Sequence, residues 1–329
     1  MGRTLFNALY KEEPMSVIWV FVLFAAGILL IIKGGDAFVD ASVWIAERTG
    51  IPRMVIGATL VSLATTLPEM LVSLFAAVQG KIDMSAGNAV GSATANVGLI
   101  LAISIIASAP SVSLQDFAPK GLLLMLSSAL LFSTTRNASL SPFQSVLLLA
   151  VLGLFLYQIT TSARSLPAAD AHESHSVKKS EILFRIFQFA GGAAGIAIGA
   201  QLLVDKGSAL ASLAGVPDGV IGATLIAVGT SLPEFVTLIA ALRRGEESLS
   251  IGNIIGANII DLTLILPLCC LIAGENLPLS SQNAFIDIPF GMILTLIAVV
   301  PTLLKQRFCR LQGVLLLAVY SAYIAFLII

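Results

Sequence analysis

Two short stretches hold the residues best suited to chemistry. Ala64-Thr-Thr-Leu-Pro-Glu69 and Gly229-Thr-Ser-Leu-Pro-Glu234 each place one carboxylate just after a proline and two hydroxyls just before it. Proline has no N–H and its ring clashes with the carbonyl four residues back. That carbonyl belongs to Ala64 for Pro68 and to Gly229 for Pro233. A helix running through either motif must bend and release backbone oxygen. With the hydroxyls of Thr65, Thr66, Thr230 and Ser231 and the carboxylates of Glu69 and Glu234, the result is a nest of oxygen ligands. A buried Glu can instead be half of an ion pair, but neither motif contains a base.

The surroundings of these motifs are unusually apolar. Of 329 residues, 57% are hydrophobic and 11% charged, and the mean hydropathy is +0.98. Soluble domains carry about 25% charged residues, so lipid rather than water is the expected solvent. The net charge of −1 gives no reason to expect a nucleic-acid partner, and nothing points to a protein partner. Cys269, Cys270 and Cys309 read as small apolar residues. The stretch from Met1 to Pro14 lacks the basic-then-apolar order of a secretory signal. Ten segments match the roughly 20 apolar residues that a spanning helix needs: 15–35, 54–79, 84–108, 119–135, 141–161, 182–204, 219–242, 249–272, 285–304 and 311–329. The segments starting at 54 and 219 carry the Pro-Glu motifs and are expected to be broken helices. Between the fifth and sixth spans, the polar residues 162–181 read as a linker. Loop Lys and Arg divide twelve against five between the two sides, Lys120 counted in the richer set. The richer side is expected to be cytoplasmic, leaving both termini outside and the linker inside a cell (inner) membrane.

The chain also repeats itself. Ile56-Gly-Ala-Thr-Leu60 recurs as Ile221-Gly-Ala-Thr-Leu225, Pro68-Glu69 as Pro233-Glu234, and Gly87-Asn88 as Gly252-Asn253, all at one shift of 165 residues. That shift crosses five spans, and an odd number turns the second copy upside down. Inverted repeats with broken helices are a mark of secondary transporters, although channels and membrane enzymes also contain repeats. The expected fold is therefore all-α and membrane-integral: ten transmembrane helices in two inverted five-helix repeats, 15–161 and 182–329, broken at the midplane.

A second repeated element, Gly87-Asn-Ala-Val-Gly-Ser-Ala-Thr-Ala-Asn96 and Gly252-Asn-Ile-Ile-Gly-Ala-Asn-Ile-Ile-Asp261, has glycines four apart. This spacing lets helix backbones approach closely. Asn88, Ser92 and Asn96 share one helical stripe, as do Asn253, Ala257 and Asp261. Helix–helix hydrogen bonding explains Asn88 and Asn253 as well as ligand contact does. The whole donor set is oxygen, without sulfur or imidazole, which suits hard cations such as Ca²⁺ and Na⁺. Two glutamates balance one Ca²⁺ or several monovalent ions, so exchange by competition at one site follows naturally.

The paired motifs resemble the alpha repeats of the cation/calcium exchanger superfamily, most of all its prokaryotic sodium/calcium antiporter branch. The resemblance covers essentially the whole chain. It implies secondary active exchange of Ca²⁺ for Na⁺ by alternating access, with no enzyme activity and no cofactor beyond the transported ions. It implies Glu69 and Glu234 as central Ca²⁺ ligands, with Thr65, Thr66, Thr230 and Ser231 supplying oxygen to both ions. Ser92 would be a sodium ligand, Asn96 and Asp261 would face the middle of the site, and the carbonyls of Ser62 and Ala227 would contribute. The first and sixth spans would slide as a gate, with Asp36, Asp40 and Asp205 at their ends as structural or ion-access residues. Three positions depart from the pattern: Ala64 for Gly, Thr66 for Ser, and Ala257 for a Ser that would bind sodium. Asp261 keeps K⁺-dependent exchange open, and H⁺-coupled exchange is the other alternative. An intramembrane hydrolase is disfavoured, because His172 and His175 both fall in the linker. A passive channel would share the oxygen ligands but would need no counter-gradient.

Overall fold

The computed structural model describes residues 17–80, 82–164, 179–213 and 231–328. Eleven helical elements follow one another: α1 (Val17–Thr49), α2 (Arg53–Thr65), α3 (Leu67–Val78), α4 (82–108), α5 (Leu114–Ser133), α6 (Pro142–Arg164), α7 (Lys179–Leu213), α8 (Leu232–Arg243), α9 (Glu247–Ala273), α10 (Asn283–Lys305) and α11 (Arg310–Ile328). Among the described residues, eight helices are long and apolar enough to cross a membrane. The pair α2–α3, bent by 45°, makes a ninth span. The expected span 219–242 is described only in its second half, α8.

The first span is longer than its apolar run predicts. Lys33, Asp36 and Asp40 suggest an end near residue 35, but α1 continues through them for 33 residues to Thr49. Asp36 and Asp40, one turn apart, both face Arg244, and this pairing lets the helix carry them. Likewise α7 begins at Lys179 and runs 35 residues, and α6 continues to Arg164. Both ends of the expected 162–181 linker are therefore helical, and its middle lies outside the described residues. Lys120 is also not a loop charge. It lies in the second turn of α5, 1% exposed, and its Nζ donates to the Asp116 carbonyl at 2.7 Å. Removing it from the count leaves the charge bias with the same sign.

The inverted repeat is visible in individual contacts. Gly34 of α1 meets the Gly192 carbonyl of α7, and Gly199 of α7 meets the Gly27 carbonyl of α1. The shift of 165 residues converts one of these contacts into the other, and together they make α1 and α7 antiparallel. Asn258 Nδ2 donates to the Ala93 carbonyl at 2.9 Å, joining two positions that are each other's repeat mates. A residue touches its own mate only near the pseudo-two-fold axis, so the axis passes between α4 and α9. Mated helices α5 and α10 pack together, while α6 leans on the second half of α9 and α11 on the second half of α4. Small backbone ladders close both ends. Strand β1 (Ser139–Leu140) pairs antiparallel with β2 (Leu277–Pro278), and an isolated bridge joins Ser111 to Arg307. Among the described residues, these short ladders are the one addition to the all-α expectation.

Glycine sets how closely the repeats cross. A Cβ on Gly57 would lie 2.1 Å from the Leu249 carbonyl, one on Gly252 2.2 Å from that of Met54, and one on Gly256 2.4 Å from that of Ala58. The backbones of α2 and α9 are thus in direct contact, as the four-residue glycine spacing predicts. In the first repeat the matching crossing involves residues outside the described ones. Gly87 faces the side chain of Asn283 instead of a backbone, and Gly91 has nothing within 4 Å among the described residues. The mates of the α2 segment fall in 219–223, outside those residues. Gly252→Ala is expected to cost about 1–3 kcal/mol by forcing the crossing apart. Gly153→Ala, with open space around residue 153, is expected to cost nothing. Thermal unfolding of the detergent-solubilised variants checks both.

Candidate cation site

The first Pro-Glu motif folds as a helix elbow, and the second starts a new helix in the same way. Thr66 sits at the break between α2 and α3 with φ −83° and ψ −6°, and Ser231 precedes α8 with φ −90° and ψ 7°. Beyond each break the new helix starts at once, with Met70 N donating to the Thr66 carbonyl and Phe235 N to that of Ser231. The prolines occupy the first turn, where a missing N–H costs nothing, and Glu69 and Glu234 lie in that same turn. The helix dipole favours negative charge there. The bend therefore does two jobs. It opens the backbone and it seats each carboxylate at the positive end of a helix.

The second motif carries a matching irregularity that periodicity alone does not reveal. The α4 ladder becomes π-helical at Asn96–Leu101 and the α9 ladder at Asp261–Ile265. Each π turn begins on the residue predicted to face the site. Such turns insert one extra residue and gather at functional positions. Each Glu-bearing helix packs against the other repeat's π turn, α3 against that of Asp261 and α8 against that of Asn96.

These elements bring together Glu69, Glu234 and Asp261, each 1% exposed. Glu69 lies within electrostatic range of both other carboxylates. Thr65, Thr66, Ser62, Ser92, Asn96 and Ser231 are buried too. Among the described residues, nine oxygens here have no hydrogen-bond partner: both from each of the three carboxylates, Asn96 Oδ1, Thr66 Oγ1 and Ser231 Oγ. An unsatisfied buried polar group costs about 1–3 kcal/mol, more when charged. No three His, Cys, Asp or Glu side chains among the described residues are grouped as a metal cluster. A cation here would therefore be held by carboxylates together with hydroxyl, amide and backbone oxygen, the composition that hard ions take.

Other predicted residues have protein partners. Thr65 Oγ1 donates to Asn253 Oδ1 at 3.2 Å. The Ser62 carbonyl accepts from Thr66 N at 2.9 Å and from Thr65 Oγ1 at 3.4 Å, so an ion there would share it. Asn88 Nδ2 donates to the Glu69 carbonyl and to Ser73 Oγ, which makes it a brace between α4 and α3. Thr230 and Ala227 lie outside the described residues. Sequence reading passed over two features. Ser73 supports Asn88 one turn beyond Glu69, and Asn258 sits on the axis beside a cavity of ≈ 20 Å³ lined in part by Thr94, Ser128 and Thr295. That is room for one water. For Asn258 the signal was present only in the repeat alignment, where position 258 is the mate of 93; for Ser73, whose mate is Leu238, there was none.

The sequence pattern of the family described as sodium/calcium exchanger protein matches residues 19–161 and 184–329, one match for each half. An uncharacterized membrane protein of Methanocaldococcus jannaschii is 31% identical over 92% of this chain and 96% of its own. The sodium/calcium exchanger MaX1 of Methanosarcina acetivorans is 30% identical over 93% of this chain and 98% of its own. Among solved structures, the sodium-calcium exchanger NCX_Mj soaked with Na⁺ and no Ca²⁺ superposes with a TM-score of 0.81 at 31% identity, covering 94% of this chain and 99% of that one.

If the orphaned oxygens form a cation site, Ca²⁺ should stabilise the fold by mass action, about 2.7 kcal/mol at a hundredfold excess over Kd. Glu69→Gln and Glu234→Gln are each expected to lose that gain. Thermal unfolding with Ca²⁺ and then with a chelator reads the difference. An undiminished gain in both variants contradicts the assignment.

Proposed function

The chain belongs to the sodium/calcium exchanger protein family, and on that premise we propose that it exchanges Ca²⁺ for Na⁺ across the membrane by alternating access to the elbow site. The protein is a secondary transporter, and its ligands are its cargo. The observation that carries this reading is the set of buried oxygens around three carboxylates that have no partner among the described residues. A site of this kind is stable only when loaded. One Ca²⁺ or several Na⁺ answer the same need, and each displaces the other.

In this reading Glu69 and Glu234 hold Ca²⁺. Thr65, Thr66, Thr230 and Ser231 give oxygen to either ion, helped by the carbonyls of Ser62 and Ala227. Ser92 serves sodium, and Asn96 and Asp261 close the middle. The repeats are unequal: Ser92 has its mate at Ala257, which is fully buried and offers no oxygen. One sodium position is thereby weakened, and the third carboxylate, Asp261, raises the negative charge that the coupling ions must balance. The protein sits in the cell (inner) membrane with both termini outside and residues 162–181 in the cytoplasm, as the loop charges favour.

Reconstituted vesicles test the reading. An outward Na⁺ gradient is expected to drive Ca²⁺ uptake, and Glu69→Gln or Glu234→Gln to abolish it. Parallel vesicles with K⁺ or pH gradients separate the coupling ions. Uptake that persists with no counter-ion gradient overturns exchange in favour of a channel. Ala257→Ser is expected to strengthen sodium dependence; an unchanged dependence removes position 257 from the ligand set.

A further inference from the structure

Asn88 and Asn253 are repeat mates, yet their side chains do different work. Asn88 turns its amide to the neighbouring helix of its own half: Nδ2 donates to the Glu69 carbonyl at 3.1 Å and to Ser73 Oγ at 2.9 Å. Where Asn88 meets Ser73, the second repeat has Leu238, a side chain that accepts no hydrogen bond. Asn253 reaches instead into the other half, where its Oδ1 accepts from Thr65 Oγ1 at 3.2 Å. Both partners are buried, Thr65 at 3% exposure and Asn253 at 1%. The crossing of α2 and α9 holds them opposite each other. Gly252 lies against the Met54 carbonyl, and a Cβ on Gly57 would come 2.9 Å from Asn253 N. Backbones this close leave the pair little freedom to separate.

A hydroxyl binds a cation through a lone pair, so its hydrogen must point away from the ion. Thr65 has three places to send that hydrogen. The Ser62 carbonyl lies at 3.4 Å, farther than Asn253. The Glu234 carboxylate of the other repeat lies within the electrostatic reach of the hydroxyl. Hydrogen bonds to an ionised acceptor are roughly twice as strong as neutral ones. Without a competitor, the Thr65 hydroxyl would therefore cap Glu234. That bond would occupy a carboxylate oxygen and turn the O–H dipole against an arriving ion. In the structure the hydrogen goes to Asn253, and both Glu234 oxygens are without a partner among the described residues.

We propose that Asn253 is a positioning residue for the cation site: its carboxamide oxygen holds the Thr65 hydrogen away from Glu234, so that the Thr65 oxygen and the Glu234 carboxylate both stay open to one ion. A ligand from each repeat is thereby prepared by a residue that does not itself bind the ion. The two readings that the sequence leaves equal for Asn253, helix–helix contact and ligand contact, give way to a third. Asn253 makes a contact between helices, and the contact acts on the ion through the hydroxyl of another residue. Ligands already set in their bound orientation bind more tightly, because less has to be ordered when the ion arrives. The inference rests on the cation-site reading of Thr65 and Glu234 and does not require transport.

Equilibrium Ca²⁺ binding to the purified full chain tests this as a double-mutant cycle. Asn253→Leu keeps the shape of the side chain and removes its acceptor. It is expected to weaken Ca²⁺ binding about three- to tenfold, the net worth of one hydrogen bond. In the Thr65→Val background the same change is expected to cost nothing further, because the hydroxyl it serves is gone. Asn253→Asp, whose carboxylate only accepts, is expected to bind Ca²⁺ at least as tightly as the unmodified protein. Thermal unfolding in chelator reads the fold without ions. An equal loss of affinity in both backgrounds overturns the proposal. So does a lowered unfolding temperature with unchanged Ca²⁺ affinity, which is what a merely structural role gives. Where Asn253→Leu does not fold, Asn253→Asp decides: an asparagine that donates to Thr65 cannot be replaced by a carboxylate, and a Ca²⁺ affinity reduced tenfold or more in that variant overturns the proposal. Absent Na⁺-driven uptake in the unmodified protein, with the binding cycle intact, counts against the antiport reading alone.

Discussion

The rest of this structure depends on the cost of carrying carboxylates inside a bilayer. Charge at that depth is expensive, and it persists where it has a partner or a function. Among the described residues, Glu69, Glu234 and Asp261 have no basic neighbour in an ion pair, and their oxygens accept no hydrogen bond. They are instead seated on helix N-termini and π turns, which temper negative charge without neutralising it. In the proposed reading, the remaining need for positive charge is met by an ion that arrives and leaves. A permanent Lys or Arg would satisfy the electrostatics and end the transport.

The scaffold follows from that need. Two copies of one motif, related by an inverted repeat, put a carboxylate at a helix N-terminus from each half on either side of the same axis. The hydrogen bond between mated positions Asn258 and Ala93 marks that axis. Glycine at 57, 252 and 256 lets the backbones of the halves touch, which holds the ligands rigidly. The same rigidity leaves motion to the helices outside the crossing. The two-fold supplies two ways to face the site, and the halves differ in sequence at mated positions such as Ser92 and Ala257.

Much of this was legible in the residues. The first Pro-Glu elbow, the glycine spacing of the second repeat and the repeat itself each follow from local chemistry or from matching at one shift, and these survive in the fold. The π turns did not show, because an added residue in a helical ladder leaves the apolar pattern almost unchanged. The true lengths of α1 and α7 were hidden for a different reason. Asp36 and Asp40 look like the end of an apolar run until their partner Arg244 is known, and it lies more than two hundred residues away in the chain. Lys120 misled in the opposite sense, as a charge that reads as loop and is buried in a helix. Such errors arise wherever a polar residue is satisfied by a distant one.

Competition between the two ions tests the central claim most directly. Ca²⁺ bound to the purified protein at equilibrium is titrated with Na⁺, with an uncharged osmolyte as control. A single shared oxygen site predicts full displacement with a Hill coefficient above 1, because one divalent ion gives way to more than one monovalent ion. Ca²⁺ that remains bound at saturating Na⁺, with both ions held together, would contradict it.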